Sequence, residues 1–445
     1  MTTDVGARTR RERARTARAK VASRVRRALL GLLMKLPGGH SSPESLLARF
    51  PDEALMPLRR DGLDPVPALG ELRDREPVSR LKMPLGLRGW LVTGYEESRT
   101  VLAADPHTFS NDFGHMIGKV GIAADDDPGG LGFADPPAHT RLRKMLTAHF
   151  TTRALAARAP RIRQIITESL DELAAAGADG PVDLQRHFAL PIPSRTIMEL
   201  IGVDEGDRDE FQRLSAARFD FSGGQVGNFD PILEAIELLK VVCARQRSAP
   251  GDGLIGQIIS EYGDSVTDVE LAGLMDGVLT GGLETTVSML SLGAVAVLRD
   301  GALGAAIRDD DTRVDAFVEE LLRYLTVVQV GFPRFVVRDV TVGGKEMFAG
   351  DVVLPSLSGA NRDRCLGEQM DRIDIDRPAS GSHLAFGHGL HRCVGAELAR
   401  VELRMAYPAL VRRFPDMRLA VPETELTYRE LSFVYGLDAL PVLLG

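Results

Sequence analysis

The stretch FGHGLHRCVGAELAR, residues Phe386–Arg400, places a single cysteine, Cys393, among glycines and histidines immediately before a predicted helix. In that helix, apolar residues recur at helical spacing at Leu398, Val401 and Met405. Backbone N–H groups and the helix dipole at such a position stabilise a thiolate. The glycines of the stretch let the backbone come close to a flat or bulky group. The pattern therefore indicates a ligating or reactive thiolate.

Four kinds of site could use this cysteine. A zinc site would combine it with His383, His388 and His391, but structural zinc usually takes ligand pairs that are far apart in the sequence. A catalytic cysteine–histidine pair would use His391, whose side chain points away if the segment is extended. A phosphate-binding glycine loop would need a strand directly before it and no cysteine. The fourth possibility is a thiolate ligand beneath a haem, with the glycines admitting the macrocycle.

The stretch resembles, in every defining position, the haem-binding signature of the cytochrome P450 family: Phe386-Gly387-x-Gly389-x-His391-x-Cys393-x-Gly395-x-x-Leu398-Ala399-Arg400. The resemblance implies a mainly α fold with small β-sheets, in which haem b (iron protoporphyrin IX) lies between a long central helix and the cysteine loop. It implies that Cys393 is the iron ligand and that Phe386 and Gly395 contact the haem. The likeness runs from about Trp90 to the C-terminus.

An E-x-x-R pair on a predicted helix carries the same resemblance. The segment FVEELLRYL supplies Glu320 and Arg323, which stand at i and i+3 on one helical face, where they can form an ion pair. An ordinary surface pair would have the same spacing. The position of this pair, about 70 residues before Cys393, makes the match to the family specific, and the resemblance implies a structural role.

The resemblance also implies a set of residues around the haem propionates. His139 and Arg143 come from DPPAHTRLR, and Arg334 comes from GFPRFVVRD. His391, two residues before the cysteine, completes the set. Two buried carboxylates need charged hydrogen-bond donors, so four such residues make physical sense.

One predicted helix is apolar on nearly every face but carries glycines and polar residues at its midpoint. Thr267-Asp268-Val269-Glu270 is a capping box, and the chain that follows is apolar on nearly every face, as in a buried core helix. At its midpoint stand Gly281, Gly282, Glu284 and Thr285. Glycine costs about 1 kcal/mol relative to alanine in a helix, and a buried carboxylate must be paired. This cluster therefore predicts a functional site.

The resemblance gives these residues roles, because Gly281-Gly282-Leu283-Glu284-Thr285 matches the family pattern A/G-G-x-D/E-T. Thr285 is expected to hydrogen-bond dioxygen or a water beside it, and Glu284 to link that site to solvent protons. Gly281 is expected to contact the haem. The two glycines are expected to let the helix open and admit dioxygen and water.

The resemblance places the substrate pocket above the haem. Its predicted lining is the 111–124 stretch with Gly277, Thr280, Val330, Phe332, Phe433 and Val434. Because Gly277 has no side chain, the pocket is expected to be roomy and the substrate bulky.

The bulk properties are those of one large globular domain with a basic extension. The chain has 445 residues and a net charge of −8, and residues 1–40 hold eleven Lys or Arg against only Asp4 and Glu12. We expect residues 1–45 to form a flexible extension ending in a short amphipathic helix, or to contact anionic lipid or an acidic partner. Residues 46–445 are expected to form a single domain. The small number of cysteines, three, favours a reducing cytoplasm. No apolar run reaches the roughly 18 residues that would predict a membrane-spanning helix.

The predicted function is that of a monooxygenase that hydroxylates or epoxidises a bulky apolar small molecule, a bacterial secondary metabolite. It would use O2 and NAD(P)H-derived electrons delivered by a separate ferredoxin and ferredoxin reductase, with Arg141, Lys144 and Arg392 as candidates for the basic docking patch. A monomer that binds no nucleic acid is expected. The alternatives are oxidative coupling or desaturation on the same haem, or a haem carrier or sensor without turnover.

Overall fold

The apolar segment after Thr267 forms a long helix around which the rest of the fold is built. In a computed structural model, the described residues are 52–83, 88–112, 131–207, 209–211, 213, 230–377 and 383–445. The predicted N-terminal extension, residues 1–45, lies outside them.

The α-helices are α1 (Asp52–Leu55), α2 (Pro67–Arg75), α3 (Tyr95–Ala103), α4 (Ala138–Thr147), α5 (Thr152–Ala176), α6 (Pro191–Ile201), α7 (Asp230–Ser248), α8 (Leu254–Tyr262), α9 (Asp268–Arg299), α10 (Gly301–Asp309), α11 (Val314–Leu325), α12 (Leu357–Ala360) and α13 (Ala396–Arg413). The β-strands are β1 (Arg60–Asp61), β2 (Asp64–Pro65), β3 (Val78–Lys82), β4 (Arg88–Val92), β5 (Phe109–Ser110), β6 (Val182–Asp183), β7 (Arg334–Val336), β8 (Val340–Val342), β9 (Lys345–Met347), β10 (Val352–Pro355), β11 (Arg418–Leu419) and β12 (Pro441–Leu443). Helix therefore dominates and the sheets are small, which confirms the predicted fold class.

The central helix α9 begins where the capping box predicts. The Thr267 hydroxyl accepts a hydrogen bond from the Glu270 N–H at 3.2 Å, and the Glu270 carboxylate accepts one from the Thr267 N–H at 3.0 Å. These two bonds satisfy N–H groups that have no partner within the helix. The helix then runs without interruption to Arg299, so it is not opened at Gly281 and Gly282 as the sequence suggested.

Other helices surround α9 and bury it. It packs against α6, α7, α11 and α13, and these helices form the main hydrophobic core. By length and composition α9 could cross a membrane, since its most apolar window has a mean hydropathy of 1.4, but 78% of that window is buried inside the protein. Such burial is typical of the core helix of a large domain.

The sheets lie beside the helical core. The largest has the strand order β3-β4-β10-β7-β5, with β4 and β10 parallel and Val353 opposite Trp90. The hairpin of β8 and β9 turns through Gly343 and Gly344, both with positive φ. Glycine adopts such backbone angles without steric cost. A second sheet, β11-β12-β6, brings the C-terminal segment against the core.

Candidate active site

The cysteine loop is a tight turn that ends at the N-terminus of α13. The Cys393 N–H donates to the Phe386 carbonyl at 2.8 Å, which closes the loop. Gly387 and Gly389 have φ angles of +68° and +73°, a region that disfavours any residue with a Cβ atom. Gly395 caps α13. The thiol is therefore held directly before the helix, as the sequence predicted.

The charges around Cys393 act in opposite directions on its thiol. Burial raises the pKa of the Cys393 thiol, while the Gly395 N–H and the guanidinium groups of Arg143, Arg392 and Arg400 lower it. The Cys393 side chain nevertheless keeps an exposed face. It is thus surrounded by donors and cations that favour the thiolate and is open to a ligand on one side.

The zinc alternative has no geometric support. Among the residues that the structure describes, which include His383, His388, His391 and Cys393, no three His, Cys, Asp or Glu side chains are grouped as metal ligands. A single axial thiolate needs no such group.

Two histidines meet next to the cysteine loop. The ring centroids of His139, on α4, and His391 are 4.2 Å apart. Burial, and then the Arg143 charge, lower the pKa of His139. Burial, and then His139 and Arg334, lower the pKa of His391 to about 3. Both rings can donate hydrogen bonds, and the guanidinium groups of Arg143 and Arg334 bring positive charge to the same region.

Arg334 is buried at the start of β7 and is oriented by its neighbours. Its guanidinium donates to the side-chain oxygen of Asn111 and, at 3.0 Å, to the Phe332 carbonyl. Burial lowers the pKa of Arg334 to about 10, so it stays charged at neutral pH. Asn111 had been assigned to the pocket lining, but it is buried and holds Arg334 instead. Residues 113–124 of that predicted stretch lie outside the described residues.

One face of α9 carries no side chains at two of its positions. Gly277, Gly281 and Thr285 are four residues apart and share this face. A Cβ atom built on Gly277 or Gly281 would meet nothing within 4 Å, so the helix borders open space there. The Thr285 hydroxyl donates to the Gly281 carbonyl at 2.6 Å, which leaves its oxygen lone pairs free to accept from that space.

Gly282 has a different reason to be glycine. A Cβ atom on Gly282 would lie 2.5 Å from the Ile197 Cδ1 atom on α6. Gly282 is therefore required by the packing of two helices and does not open α9.

Glu284 is buried and pairs with a residue that the sequence argument did not identify. Its carboxylate forms an ion pair with Arg429, and only 8% of its side chain is exposed. A carboxylate buried this deeply must be paired to remain ionised. It lies on a different face of α9 from Thr285, so the two side chains point in different directions.

The other predicted pocket residues lie in two neighbouring segments. Val328 forms a β-bridge with Val434, and the Gln329 N–H donates to the Phe433 carbonyl at 3.0 Å, so Val330 and residues 433–434 are close in space. Phe433 is 58% exposed.

Phe332 connects this group to the central helix. Phe332, 50% exposed, packs edge-on against Phe133 with 4.9 Å between ring centroids, and the Leu131–Phe133 segment contacts α9. On α9 itself, Thr280 is half-buried beside the open face. The structure thus brings the aromatic residues, the C-terminal segment and α9 into one region.

The described geometry fits the haem that the resemblance implies. Both ring nitrogens of His139 and the Nε2 atom of His391 are buried without a hydrogen-bond partner among the described residues, and a propionate oxygen would accept a hydrogen bond from an N–H of each ring. Cys393 offers a sulfur ligand, and the face of α9 at Gly277 and Gly281 leaves room for a flat macrocycle. Arg143 and Arg334 would neutralise the propionates.

Glu320 and Arg323 anchor the chain that leads to the cysteine loop. Arg323 donates to both oxygens of Glu320, at 2.8 and 2.7 Å, and to the carbonyls of Asn361, Met370 and Arg372. These hydrogen bonds are buried or partly buried. A helix is thereby fixed to the irregular segment before Cys393, as expected for a structural pair.

We predict that Arg323→Ala will destabilise the protein by about 3 kcal/mol, because it removes the charged donor to both oxygens of the buried Glu320 carboxylate and leaves only Arg377, at 3.5 Å, as its cation. Equilibrium unfolding in urea measures this directly, and haem content should fall with it. Arg308→Ala is the control, since Arg308 pairs with Asp309 at the surface. That variant should stay within about 0.5 kcal/mol of the wild type. Equal losses in the two variants would contradict the anchoring role.

A second network beside the loop was missed. Arg400 donates to Glu319 at 2.6 and 2.9 Å, and its guanidinium lies 4.8 Å from the Phe386 ring centroid. Burial raises the pKa of Glu319, but hydrogen bonds from His383 and Arg400 outweigh it and bring the pKa to about 2. In the sequence, the only sign of this network is that Glu319 directly precedes Glu320. That position does not identify His383 and Arg400, which are distant in sequence, as its partners.

The three residues predicted to form the basic docking patch for a redox partner differ in their surroundings. Arg141 pairs with Glu270, the capping-box carboxylate of α9, and so ties α4 to the central helix. Lys144 and Arg392 are exposed.

Comparison with known proteins gives a consistent result. The family model "Cytochrome P450" matches residues 312–426. Cytochrome P450 FAS1 of Rhodococcoides fascians is 38% identical over 390 residues, which cover 86% of this chain and 96% of that protein. The structure of the mycinamicin VIII C21 methyl hydroxylase MycCI from Micromonospora griseorubida, bound to mycinamicin VIII, is similar with a TM-score of 0.79 and 31% identity (86% and 98% of the two chains). The structure of OxyC, a cytochrome P450 implicated in an oxidative C–C coupling reaction during vancomycin biosynthesis, is similar with a TM-score of 0.76 and 38% identity (86% and 95%).

Proposed function

Since this chain belongs to the cytochrome P450 family, we propose that it hydroxylates or epoxidises a bulky apolar small molecule, a bacterial secondary metabolite. It is a haem-dependent monooxygenase that uses O2 and electrons derived from NAD(P)H. The observation that supports a bulky substrate is the open face of α9, where neither Gly277 nor Gly281 would have a neighbour within 4 Å of a Cβ atom. Exposed Phe332 and Phe433 supply apolar surface for binding.

The haem supplies the oxygen-insertion chemistry, and a cysteine thiolate favours O–O bond cleavage. The chain's own residues position and protect it. Cys393 provides the thiolate, and His139, Arg143, Arg334 and His391 hold the propionates. Phe386 and Gly395 would contact the haem from the cysteine loop.

On the opposite side of the haem, two residues of α9 handle protons. The Thr285 hydroxyl, which donates to Gly281, accepts from a water in the pocket and orients it toward dioxygen. Glu284 carries protons from solvent toward this water. Such general acid–base groups contribute about 10²- to 10⁴-fold to rates.

A second candidate function, oxidative coupling of aromatic rings, is favoured by the likeness to OxyC. It would use the same haem and the same pocket but remove two hydrogens from the substrate instead of inserting oxygen. Desaturation would likewise remove two hydrogens from the substrate. A carrier or sensor without turnover is disfavoured, because it would need neither the Thr285 hydroxyl nor the buried Glu284.

We further propose that electrons arrive from a separate ferredoxin and its reductase. Lys144 and Arg392 are the exposed cations near the cysteine side of the haem site, where an acidic partner would dock. The protein is expected to act as a monomer in the cytoplasm.

The test is a spectroscopic screen followed by turnover. Candidate ligands, including mycinamicin VIII and a phenol-rich linear peptide, are titrated against the haem-loaded protein, and a low-spin to high-spin shift reports binding beside the haem. The compound with the largest shift is then incubated with NADPH and a surrogate ferredoxin and reductase. A product that has gained one oxygen atom supports the proposal, and one that has lost two hydrogens supports coupling or desaturation. Absence of substrate-dependent NADPH consumption would favour a carrier.

We predict that deleting residues 1–38 leaves haem content, the spectrum and the melting temperature unchanged. The reason is the abrupt change in composition after the basic extension, together with the family resemblance, which begins only further along the chain. We propose that residues 1–45 form a separate extension of the single domain 46–445. Loss of haem, or a clear drop in melting temperature on truncation, would show that the extension belongs to the core.

A further inference from the structure

The face of α9 that carries Glu284 is polar, although it is buried. Glu284, Ser288 and Ser291 stand at i, i+4 and i+7 and so form one row along the helix. All three are buried. Because polar groups in a core need partners, the surface opposite this row must supply them.

The C-terminal turn, residues 428–438, lies opposite the row. Arg429 forms the ion pair with Glu284. Further along the row, Ser291 donates to the Gln185 side-chain oxygen at 3.1 Å, and the Gln185 amide donates to the Leu437 carbonyl at 2.9 Å. Ser288, between them, has no hydrogen-bond partner among the described residues, so polar contacts join the helix and the turn at the two ends of the row.

Arg429 is fixed by its own turn. Its Nε and Nη2 atoms donate to the Leu437 carbonyl at 3.1 and 2.8 Å, and its Nε atom lies 3.5 Å from the Asp438 carboxylate. The exposed fraction of the side chains rises from 8% at Glu284 through 16% at Arg429 to 49% at Asp438. The three charged side chains, Glu284, Arg429 and Asp438, therefore follow one another from the protein interior to solvent.

Gly436 sets how closely the turn approaches α9. A Cβ atom on Gly436 would lie 2.5 Å from the Ser288 hydroxyl oxygen and 3.6 Å from the Arg429 guanidinium carbon. An alanine there would make the Ser288 hydroxyl rotate or the turn shift, and its methyl group would be in van der Waals contact with the Arg429 guanidinium. Gly436 therefore lets the turn lie close to the row on α9.

The same turn carries predicted pocket residues. Val434 bridges to Val328, and the Phe433 carbonyl accepts from the Gln329 N–H. One short turn therefore holds both a wall of the substrate pocket and the cation that pairs with Glu284.

We infer that Arg429 is a positioning residue for Glu284, and that the Arg429–Asp438 side of the C-terminal turn is the solvent end of the route by which Glu284 receives protons. This inference rests on the proposed role of Glu284 in proton supply. A guanidinium keeps a buried carboxylate in the ionised form, which is the form that can accept a proton from a water molecule. Because the guanidinium does not lose its own proton at accessible pH, Arg429 holds Glu284 in place and does not itself relay the proton. Asp438 and bulk water lie on its far side.

The test compares Arg429→Gln, Glu284→Gln and the double variant in the haem-loaded full chain. Arg429→Gln should lower the melting temperature by several degrees, since it leaves Glu284 buried without its cation, and Glu284→Gln in the same chain should restore most of that loss. With the compound that gives the largest spin-state shift, Arg429→Gln should slow turnover at least ~10-fold while the spin-shift titration is unchanged. In the Glu284→Gln background it should cost nothing further, because residues that act through one another are not additive. Arg429→Lys should recover part of the rate.

Arg299→Gln is the matched control. Arg299 also joins α9 to the C-terminal segment, through an ion pair with Glu423, but it stands at the far end of the helix. This variant should keep the wild-type turnover.

The outcomes separate this inference from the proposed function. If Glu284→Gln turns over at the wild-type rate, the proton role of Glu284 is wrong and the inference falls with it. If Glu284→Gln is slow but Arg429→Gln is not, only the inference is overturned. An equal further loss from Arg429→Gln in the Glu284→Gln background, or failure of both the single and the double variant to fold, would show that Arg429 acts through the fold and not through Glu284.

Discussion

Cys393→His will abolish the red-shifted Soret band that thiolate-ligated haem shows in its reduced carbon-monoxide complex. The band depends on a charged sulfur ligand, and imidazole is a neutral nitrogen ligand. The loop geometry supports the assignment, because the bond from the Cys393 N–H to the Phe386 carbonyl holds the cysteine directly before α13, and its side chain is exposed on one side. Haem content, measured separately, shows whether the variant still binds the cofactor.

Cys243→Ala and Cys365→Ala provide the matched controls, since the three cysteines are all free. Burial raises the pKa of Cys243 to about 12, and burial with the nearby Asp363 charge raises the pKa of Cys365 to about 12. Neither residue lies in the cysteine loop, since Cys243 is buried in α7 and Cys365 lies in the Arg364–Leu366 turn, so replacing either should leave the band unchanged. A normal thiolate spectrum in Cys393→His, or its loss in either control, would contradict the assignment.

The features that the sequence predicted well are those whose partners are close along the chain. The capping box joins Thr267 to Glu270, and Glu320 pairs with Arg323 one turn away. In each case the geometry of a helix or a turn fixes the distance between the residues. The cysteine loop belongs to the same class, because its defining residues lie within one short segment.

The features that the sequence missed depend on contacts between distant segments. Nothing near Glu284 or Arg429 in the sequence identifies them as partners, yet folding brings them together across α9. Gly282 was interpreted as a point where the helix could open, but its role depends on Ile197 of α6. Helical spacing alone could have separated the two glycines, since Gly281 shares its face with Thr285 and Gly282 does not.

The second large effect concerns the two neighbouring polar residues of α9. Thr285→Ala should still consume NADPH in the presence of a spin-shifting compound but release mostly hydrogen peroxide in place of product. The hydroxyl donates to the Gly281 carbonyl at 2.6 Å, so its oxygen can accept a hydrogen bond from a pocket water and fix that water's orientation. Without it, protons arrive at dioxygen without control and the reduced oxygen leaves as peroxide. Thr285→Ser keeps the hydroxyl and should keep the coupling.

Thr286→Ala serves as the control for this variant. Thr286 is the next residue on the same helix, but it is buried and faces away from the open side. Its loss should change stability more than the ratio of product to NADPH consumed. A fall in coupling of equal size in Thr286→Ala would show that any cavity in α9 disturbs the reaction, and that the Thr285 hydroxyl has no specific role.

Glu284→Gln should fail in a different way. Its carboxylate faces Arg429 and not the pocket, so its loss interrupts the supply of protons and not the orientation of the final water. We expect turnover to slow by about 10²- to 10⁴-fold, with a much smaller change in the share of product. The product formed per NADPH, the NADPH rate and the titrated peroxide together distinguish the two defects. If both variants keep the wild-type rate and coupling, neither side chain handles protons, and the pair of Glu284 with Arg429 serves only to hold the C-terminal turn against α9.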